Sequence, residues 1–444
     1  METYKIKLLT RREFVIATIA GTAALAGLPR NIYSAKKRPN VLFILADDLG
    51  YGDLSCYGRP DYQTPFLDKL ARQGVQFTQA YAAGPLCTPT RCAFITGRYP
   101  ARLPIGLEEP LKYGDNSVGL PPEHPTVASL LKDNGYETAL IGKWHLGFLP
   151  EYGPNQHGFD EFFGILSGGV DYFTHKDRSG KLDLYENLSP VERNGYITEL
   201  LTDRAVKFIS RRHDRPFYLS LHYTAPHWPW EGPKDEEVSG RLKDTFAAGG
   251  SLKVYAAMMK SLDEGVGTVM KALGKANLDR NTLVIFTSDN GGERFSYNWP
   301  FSKQKGTLWE GGLRVPAIVR WPGTIQPGRL TDQAVMTMDW TAMILSVTKT
   351  QADPSYPLDG QDLLPVIKGS QPSYDRTLLW RTRKQDAVRS GKWKYLKDGD
   401  KEYLFDLLND PGEKVDLKET LPEVLAQLQA EFQKWESQML PRPK

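Results

Sequence analysis

Four apolar runs along the chain have the length and composition of buried strands. They are Asn40–Ala46, Glu137–Ile141, Pro216–Leu221 and Thr282–Thr287. Such continuous runs, without the alternation of a strand that faces water on one side, are typical of a parallel sheet covered on both faces. Segments with helical periodicity lie between them, at Thr126–Asn134, Tyr196–Ile209 and Val254–Leu273. The repeated β–α order predicts an α/β fold with a large, mostly parallel mixed sheet sandwiched by helices.

After about Leu364 the pattern changes to short strand-like runs separated by Ser-Gly and Asp-Gly turns. The runs are Thr377–Trp380, Ala387–Arg389, Trp393–Leu396 and Tyr403–Leu407. Their close spacing predicts a small antiparallel sheet, which an amphipathic helix over Pro422–Gln438 should cover. We therefore expect a large domain over residues 36–364 and a smaller C-terminal α+β subdomain over residues 365–444.

Residues 1–35 have the pattern of an export signal. Arg11 and Arg12 precede an Ala/Gly-rich apolar stretch that ends near Leu28, and this order resembles a twin-arginine signal of an exported bacterial protein. The stretch is short for a membrane span, although an uncleaved anchor or a first helix is the alternative. Residues 36–444 contain no further apolar run long enough to cross a bilayer. The sequence therefore predicts a periplasmic or extracellular protein without a stable membrane span after signal removal.

Charge and cysteine content narrow the possible functions. The whole formal net charge of +3 lies in residues 1–35, so the rest of the chain is neutral, which argues against a nucleic-acid partner. The three cysteines, Cys56, Cys87 and Cys92, are too few for a disulfide framework, and none has the Cys-x-x-Cys spacing of a zinc site.

Polar side chains follow each of the four predicted strands. They are Asp47 and Asp48, Lys143 and His145, His227, and Asp289 and Asn290. Ligands of an open parallel sheet bind at the carboxyl ends of its strands, so one pocket can hold all of these groups. Adjacent carboxylates favour a cation, because like charges otherwise cost free energy; a solvated turn with one capping Asp is the alternative. The remaining histidines, including His222, are unassigned.

The segment from Leu86 to Arg98 contains a Cys-x-Pro-x-Arg core at Cys87, Pro89 and Arg91. Pro89 suits the first turn of a helix, and the run after it ends at Gly97, so we expect Cys87 at a helix N-terminus. An anion at that position would meet free N–H groups and the positive end of the helix dipole. Arg91 lies one turn later and can point its guanidinium at the same anion.

At these residues the chain resembles the type I, arylsulfatase-like sulfatases of the alkaline-phosphatase superfamily. The likeness extends over the chain after the signal, through Asp47-Asp48, Thr96–Arg98, Gly142–Gly147, Ala225–His227, Ser288–Gly291, and Lys305 with Glu310–Pro316. In that family the Cys-x-Pro-x-Arg motif directs a maturation enzyme to convert the cysteine to formylglycine. The resemblance therefore implies an active site that contains formylglycine at position 87.

The resemblance also implies roles for individual residues. The metal ligands would be Asp47, Asp48, Cys87 as formylglycine, Asp289 and Asn290. Oxygen ligands suit a hard cation such as calcium or magnesium, and the resemblance implies calcium, with magnesium as the alternative. The catalytic residues would be Cys87, Arg91, Lys143, His145, His227 and Lys305. One hydroxyl of hydrated formylglycine would attack sulfur, and the other would later expel sulfate.

Three kinds of group would assist that chemistry. Arg91, Lys143 and Lys305 would offset the charge that develops on the sulfuryl oxygens. His227, or Lys305, would protonate the leaving oxygen, and His145 would orient or deprotonate the nucleophile. Without the resemblance, the segment around Lys305 has the pattern of an ordinary surface loop.

The predicted function is hydrolysis of a sulfuric ester of a carbohydrate. The carbohydrate preference is an expectation from export and from three tryptophans that could stack on sugar rings, Trp228, Trp230 and Trp299. One alternative is a phosphonate monoester or phosphodiester hydrolase of the same superfamily. Another is a catalytically silent glycan-binding protein, which would have no use for a maturation motif.

Overall fold

The computed structural model describes residues 38–239 and 249–443, so the expected export signal lies outside the described residues. Within these residues, eleven strands form one large sheet. They are β1 (Asn40–Ala46), β2 (Val75–Tyr81), β3 (Glu137–Gly142), β4 (Glu161–Gly164), β5 (Tyr185–Glu186), β6 (Ser189–Pro190), β7 (Phe217–His222), β8 (Thr282–Ser288), β9 (Arg314–Arg320), β10 (Arg329–Thr331) and β11 (Val335–Met336).

The spatial order of the large sheet is β10-β2-β9-β8-β1-β7-β3-β4-β5-β6, and β11 also pairs with β2. The central strands are parallel, with β1 between β7 and β8 and with β3 between β7 and β4. Strand β9 runs antiparallel between β2 and β8. The mixed sheet predicted from the four apolar runs is therefore confirmed, and β1 lies at its centre.

Strand β1 shows why the apolar runs are continuous. Val41, Phe43 and Leu45 belong to the hydrophobic core on one face of the sheet, whereas Leu42 and Ile44 belong to the core on the other face. All five side chains are buried. Burial of a side chain of this size contributes about 1.5–3 kcal/mol, so a polar residue on either face of β1 would be costly.

Helices cover both faces of the large sheet. They are α1 (Pro65–Arg72), α2 (Cys87–Thr96), α3 (Val127–Asp133), α4 (Ile197–Ser210), α5 (Leu252–Lys275), α6 (Glu310–Leu313), α7 (Thr337–Thr348), α8 (Leu364–Lys368) and α9 (Pro422–Glu436). Helices α2, α3 and α7 pack on one face, and α1, α4 and α5 on the other. The predicted helices are present with ends that differ by one or two residues. None of the described helices is long and apolar enough to cross a membrane.

The C-terminal region forms the predicted antiparallel sheet with a covering helix. Its strands pair in chain order, as β12 (Thr377–Arg381), β13 (Gln385–Ser390), β14 (Trp393–Asp398) and β15 (Lys401–Asp406). Helix α9 contributes Leu428, Phe432 and Trp435 to a core that also contains Tyr81 and Leu313 of the large sheet and α6. The described residues from Pro39 onward form one compact unit, and a domain boundary at residue 364 remains a prediction.

Candidate active site

The strand register brings the predicted acidic residues together. Ala46 of β1 pairs with Ser288 of β8, so Asp47 and Asp289 follow at neighbouring strand ends, and the backbone N–H of Asp48 donates to Asp289 Oδ1 at 3.2 Å. Asp48 has a φ of 63°, a left-handed conformation that Asp tolerates better than most residues. The turn after β1 therefore directs two consecutive carboxylates into the space beside β8.

Each of the three carboxylates has a different buried basic side chain as its nearest partner. Lys143 Nζ lies 2.6 Å from Asp47 Oδ2, and Lys305 Nζ lies 2.6 Å from Asp48 Oδ2. Arg91 donates to Asp289 Oδ2 from Nε at 3.1 Å and from Nη2 at 2.8 Å. Three negative and three positive charges thus share one buried site.

The guanidinium of Arg91 binds two groups of the site. It is directed at Asp289 and at the backbone oxygen of Lys143, which accepts from Nη1 at 2.9 Å. The imidazole of His222 lies 3.3 Å from the same Nη1. Arg91 therefore holds an acidic residue and the end of β3 in place, which is a structural contribution to the site.

Cys87 begins α2, as expected, and its side chain is buried. Its Sγ and one carboxylate oxygen each of Asp47 and Asp289 lie within 4.8 Å of one another. Burial raises the pKa of the Cys87 thiol, although Lys143 and Lys305 act in the opposite direction. The unmodified side chain is therefore a thiol rather than a thiolate nucleophile at neutral pH.

The acidic residues fit a hard divalent cation. Asp47 Oδ1 and Asn290 Oδ1 are buried oxygens without a hydrogen-bond partner, which native structures rarely leave unsatisfied. The Asn290 amide group is oriented by its donation to Asp48 Oδ1 at 2.8 Å. Burial and the charge of Asp289 raise the pKa of Asp47 well above its usual range. A bound cation would favour the ionised form of Asp47 and provide a partner for both oxygens.

The pKa of Asp48 shifts in the opposite direction from that of Asp47. Burial raises this pKa, but the charges of Lys305, His227 and Lys143 and the hydrogen bond from Lys305 lower it, and the pKa of Asp48 falls below its usual range. Lys305 comes from the segment that has a surface-loop pattern in the sequence. Its backbone N–H donates to Gly292 O at 3.1 Å, which attaches this segment to the end of β8.

His145 and His227 line the same site, and one ring nitrogen of each is hydrogen-bonded to a backbone oxygen. His145 Nε2 lies 3.1 Å from Leu111 O, and His227 Nδ1 lies 2.5 Å from Trp228 O. Because a carbonyl oxygen only accepts, these nitrogens carry the hydrogen in the neutral rings. Burial lowers the pKa of both histidines well below the usual range, with Lys143 adding to the effect on His145 and Lys305 to that on His227.

Comparison with known proteins assigns the chain to a family. The sulfatase family profile matches residues 39–350, and a profile of the N-sulphoglucosamine sulphohydrolase C-terminal region matches residues 298–438. Mouse steryl-sulfatase is 32% identical over 91% of this chain and 82% of its own length. Human arylsulfatase A is 34% identical over 88% of this chain and 87% of its own. The chain belongs to the sulfatase family.

Solved structures agree with this assignment. The crystal structure of Ps i-CgsB superposes with a TM-score of 0.82 at 33% identity, over 90% of this chain and 93% of that chain. Like its relatives, this sulfatase is a type I member of the alkaline-phosphatase-like superfamily and a hydrolase of sulfate esters. The family generally uses a metal and formylglycine, and the acidic cluster of this sulfatase could bind a metal.

The structure also adds residues that sequence reasoning did not single out. A Cβ placed on Gly168 would lie 2.8 Å from the His145 ring, and one on Gly169 would lie 3.1 Å from the His227 ring. Tyr172 then donates from its hydroxyl to His227 O at 2.8 Å. The segment 168–172 thus contacts both catalytic candidates. A Gly-Gly pair in a loop is an ordinary turn signal, so only the three-dimensional arrangement reveals this contact.

The three tryptophans considered for sugar stacking have different environments. Trp230 is buried and packs edge-on against Phe295, with ring centroids 5.1 Å apart, so it is a core residue rather than a sugar platform. Trp228 is half-buried beside His227, with ring centroids 4.5 Å apart. Trp299 is 63% exposed. Trp230 therefore serves as a large apolar side chain of the core, whereas the exposed side chain of Trp299 can contact a ligand.

Proposed function

We propose that this sulfatase removes sulfate from a carbohydrate. Ps i-CgsB, which is similar over 90% of this chain, has been crystallised with k-i-k-neocarrahexaose at a TM-score of 0.80 and 34% identity. Mouse N-acetylgalactosamine-6-sulfatase is 33% identical over 81% of this chain and 72% of its own length. Both names point to sugars, and this supports a saccharide substrate; the similar identity of steryl-sulfatase makes a steroid sulfate the alternative.

The observation that carries the chemistry is the position of Cys87 among the acidic residues. Its Sγ and one carboxylate oxygen each of Asp47 and Asp289 lie within 4.8 Å of one another, close enough to share one cation. We propose that a maturation enzyme converts this residue to formylglycine, whose hydrate supplies the hydroxyl nucleophile. The position of residue 87 in the first turn of α2 keeps a negatively charged oxygen near free backbone N–H groups and the positive end of the dipole.

The proposed cation is calcium rather than magnesium. Asp47, Asp48, Asp289 and Asn290 would hold it together with the modified residue 87. These residues would offer oxygen ligands, and calcium accepts a more variable number and arrangement of oxygens than magnesium. When bound, the cation supplies positive charge to a sulfate oxygen and lowers the pKa of a hydroxyl nucleophile.

The lysines of the site offset charge on the sulfuryl group. Each ammonium has three N–H donors. Lys143 and Lys305 each have one carboxylate oxygen at 2.6 Å, and Lys305 has a second, Glu293 Oε2, at 3.7 Å. Both lysines therefore retain donors for the sulfuryl oxygens, where negative charge increases in the transition state. Arg91 contributes by fixing Asp289, which it binds through two nitrogens.

The two histidines have separate proton-transfer roles in this proposal. His227 Nε2 lies 3.6 Å from Asp48 Oδ2, in the half of the site that also contains Lys305. We assign His227 to the leaving-group oxygen, as an acid that carries a second proton on Nε2 when the anionic sulfate ester is bound, and His145, whose Nδ1 lacks a partner, to orientation or deprotonation of the nucleophile. General acid–base assistance of this kind contributes roughly 10²–10⁴-fold to a rate.

A desulfation screen tests the proposed substrate class. Protein produced with a maturation system would be incubated with defined sulfated saccharides, an aryl sulfate and an aryl phosphonate. Release of sulfate from at least one saccharide, detected by ion chromatography, is the expected result. Activity confined to the aryl sulfate would contradict the carbohydrate preference, and faster turnover of the phosphonate would favour a phosphonate hydrolase. A Cys87→Ala variant is the matched inactive control.

We also propose that the sulfatase is exported as a folded protein to the periplasm or beyond. The support is the Arg11-Arg12 pair with its apolar stretch. A twin-arginine route suits a protein whose Cys87 has to be modified before the site closes.

A further inference from the structure

Glu231 is a buried carboxyl group outside the set assigned above to the metal and to catalysis. It lies in the segment after β7 and is 1% exposed. Its Oε2 accepts from the backbone N–H of Tyr172 at 3.0 Å, and its backbone oxygen accepts from the Tyr196 hydroxyl at 2.7 Å. Burial of a carboxyl group costs free energy unless the group is hydrogen-bonded or neutral, so the partners of Glu231 indicate what it holds in place.

Tyr172 connects Glu231 to His227. The Tyr172 side chain is buried, and its hydroxyl lies 2.8 Å from His227 O and 3.0 Å from Thr224 O, either of which can accept its hydrogen. Three residues earlier in the chain, the backbone at Gly169 lies against the His227 ring, where a Cβ would be 3.1 Å from Nδ1. The main chain of His227 and one side of its ring therefore contact the same short segment of chain.

Glu231 also forms a carboxyl–carboxylate pair with Asp171, which precedes Tyr172. The two groups are hydrogen-bonded to each other, so one of them carries a proton. Asp171 Oδ1 already accepts from two backbone N–H groups, at 3.0 and 2.7 Å, and from Ser239 Oγ at 2.6 Å. Three donors favour the ionised form of Asp171, so the proton belongs to Glu231.

The surroundings of Glu231 keep it neutral at pH 7. Burial and the charge of Asp171 raise the pKa of Glu231 to about 8; Asp235 adds to this, and the N–H of Tyr172 opposes it. The phenol of Tyr196 also faces Glu231, and burial raises the pKa of that phenol well above its usual range. A carboxyl group with a raised folded pKa loses stability as pH rises through that value. Ionisation of Glu231 would place two carboxylates side by side.

We propose that Glu231 is a positioning residue for His227, because its carboxyl group fixes the chain segment that orients the imidazole toward the leaving-group oxygen. The carboxyl group does so by linking Asp171 to the backbone of Tyr172, so that neither moves away from the histidine. Glu231 acts through the histidine and not on the substrate. The inference rests on the proposed role of His227 as the acid.

The test measures how strongly the rate depends on the leaving group. Mature enzyme would be assayed with 4-nitrophenyl sulfate, whose leaving group scarcely needs a proton, and with phenyl sulfate, whose leaving group gains more from one. Glu231→Met removes the polar atoms and should lower kcat/KM for phenyl sulfate roughly tenfold and for 4-nitrophenyl sulfate less than about twofold, because a misplaced acid is costly. Glu231→Gln can still accept from Tyr172 and donate to Asp171, and at pH 7 it should behave like the wild type.

A double-variant cycle and a matched control separate positioning from a general loss of structure. Tyr172→Phe removes the hydroxyl contact with His227 O and should also raise the ratio of the 4-nitrophenyl to the phenyl rate. Combined with Glu231→Met it should raise this ratio no further, because both variants act along one path. Asp263→Asn alters a carboxyl group that is 2% exposed and that accepts from the backbone N–H of Leu67 at 2.8 Å, in α1. It should lower the thermal stability and leave the ratio unchanged.

The pH dependence gives a second readout. Ionisation of Glu231 above about pH 8 should lower the phenyl sulfate rate more than the 4-nitrophenyl sulfate rate. Glu231→Gln cannot ionise and should lack that difference. An unchanged ratio in Glu231→Met, additive effects of Glu231→Met and Tyr172→Phe, or the wild-type alkaline change of the ratio in Glu231→Gln would each overturn the proposal.

These outcomes are distinct from a failure of the proposed function. If the wild-type enzyme hydrolyses both aryl sulfates but no sulfated saccharide, the proposed substrate class is wrong, and the ratio still decides the role of Glu231. If His227→Ala leaves the ratio unchanged, the assignment of His227 as the acid fails, and the positioning role fails with it. If His227→Ala raises the ratio and Glu231→Met does not, only the positioning role is wrong.

Discussion

The backbone at Gly169 lies against the imidazole of His227, so that a Cβ at position 169 would be 3.1 Å from Nδ1 and Cε1. Gly168 has the same relationship to His145, at 2.8 Å. Neither glycine has a φ in the left-handed region. Their small size is therefore required by the close approach of the two rings, rather than by the backbone conformation.

Gly169→Ala should displace the His227 ring by a few tenths of an ångström. If His227 protonates the leaving oxygen, turnover of a sulfated sugar should fall on the order of tenfold, because small misplacements of catalytic groups are costly. An activated aryl sulfate should be affected less. Steady-state kinetics on both substrates measure the difference.

Gly274→Ala is a matched control, because an added Cβ at this exposed position of α5 meets no atom within 4 Å. It should retain full activity and stabilise the protein by roughly 0.5–1 kcal/mol. Equal losses for both substrates in Gly169→Ala would contradict the assignment of His227 to the leaving group.

The carboxyl ends of the strands were predictable from sequence because each buried apolar run stops abruptly at polar residues. The rule that parallel strands end at the same edge of the sheet is enough to predict that Asp47 and Asp289 lie close together. Strand β2, with the sequence Val-Gln-Phe-Thr-Gln-Ala-Tyr, did not stand out, since its alternating pattern is that of many edge strands. Its partner β9 is more than 230 residues away in the chain.

Long-range contacts account for most of what the sequence did not indicate. Lys305 enters the site because its segment bonds to Gly292 and because Gly306 donates to Pro85 O at 2.9 Å. His222 was unassigned because a histidine at a strand end has no distinctive pattern; only its pairing with Gly142 across β3 and β7 brings it to Arg91. Motif resemblance predicts Lys305 in the site where periodicity indicates a surface loop, and the structure brings its ammonium to Asp48.

Asp289→Asn should lower calcium affinity and activity together. The amide retains an oxygen for Arg91 but loses the negative charge, whereas Asp289→Ala would leave a buried guanidinium unpaired. In the wild type, calcium at about 100 times its Kd should raise the free energy of unfolding by about 2.7 kcal/mol. The variant should need a higher calcium concentration for the same thermal shift. Zinc at full occupancy in elemental analysis, with activity independent of calcium and magnesium, would contradict the proposed cation.

Lys394→Met should destabilise the contact between α6 and the C-terminal sheet. Lys394 Nζ lies 2.9 Å from Glu310 Oε1 and 2.8 Å from Glu413 Oε1, and all three side chains are buried. Glu310 keeps Arg314 as a partner, but removal of Lys394 leaves the buried Glu413 carboxyl beside Glu310 without a basic partner, at a cost of about 3–5 kcal/mol. Urea unfolding monitored by circular dichroism measures the loss.

The loss of stability caused by Lys394→Met should also depend on pH. Burial raises the pKa of Glu413 to about 7 despite the opposing charge of Lys394. A carboxyl whose folded pKa is raised loses stability as pH rises through that value, and removal of Lys394 raises it further. The variant should therefore lose more stability relative to wild type at pH 8 than at pH 6. Lys401→Met, at an exposed position of β15, should change stability by less than about 0.5 kcal/mol at either pH.

Replacing Arg11 and Arg12 together with lysine should retain the protein in the cytoplasm if the twin-arginine route is used. Cell fractionation followed by immunoblotting measures the distribution. Replacement of Lys5 and Lys7 by arginine keeps the charge of the segment and serves as the control. Unchanged export of the double-lysine variant would indicate a general secretory signal instead.

His227→Ala and Lys143→Ala should separate the leaving-group acid from the residues that hold the sulfuryl group. A sugar alkoxide requires protonation as it leaves, whereas the phenolate of an activated aryl sulfate scarcely does. His227→Ala should therefore reduce kcat for a sulfated sugar by roughly 10²–10⁴-fold and that for the aryl sulfate much less. Lys143→Ala should reduce both rates similarly, because Lys143 would contact the sulfuryl group common to both substrates.

The two variants have to be compared under saturating calcium, because Lys143 is also the buried partner of Asp47 at 2.6 Å. Retained cooperative thermal unfolding in both variants excludes a general loss of structure. If His227→Ala lowers both rates by the same factor, His227 contacts the sulfuryl group instead of the leaving oxygen. Lys305, whose Nζ lies 2.6 Å from Asp48 Oδ2 in the same half of the site, then becomes the acid, and Lys305→Met should show the dependence on leaving group that His227→Ala lacks.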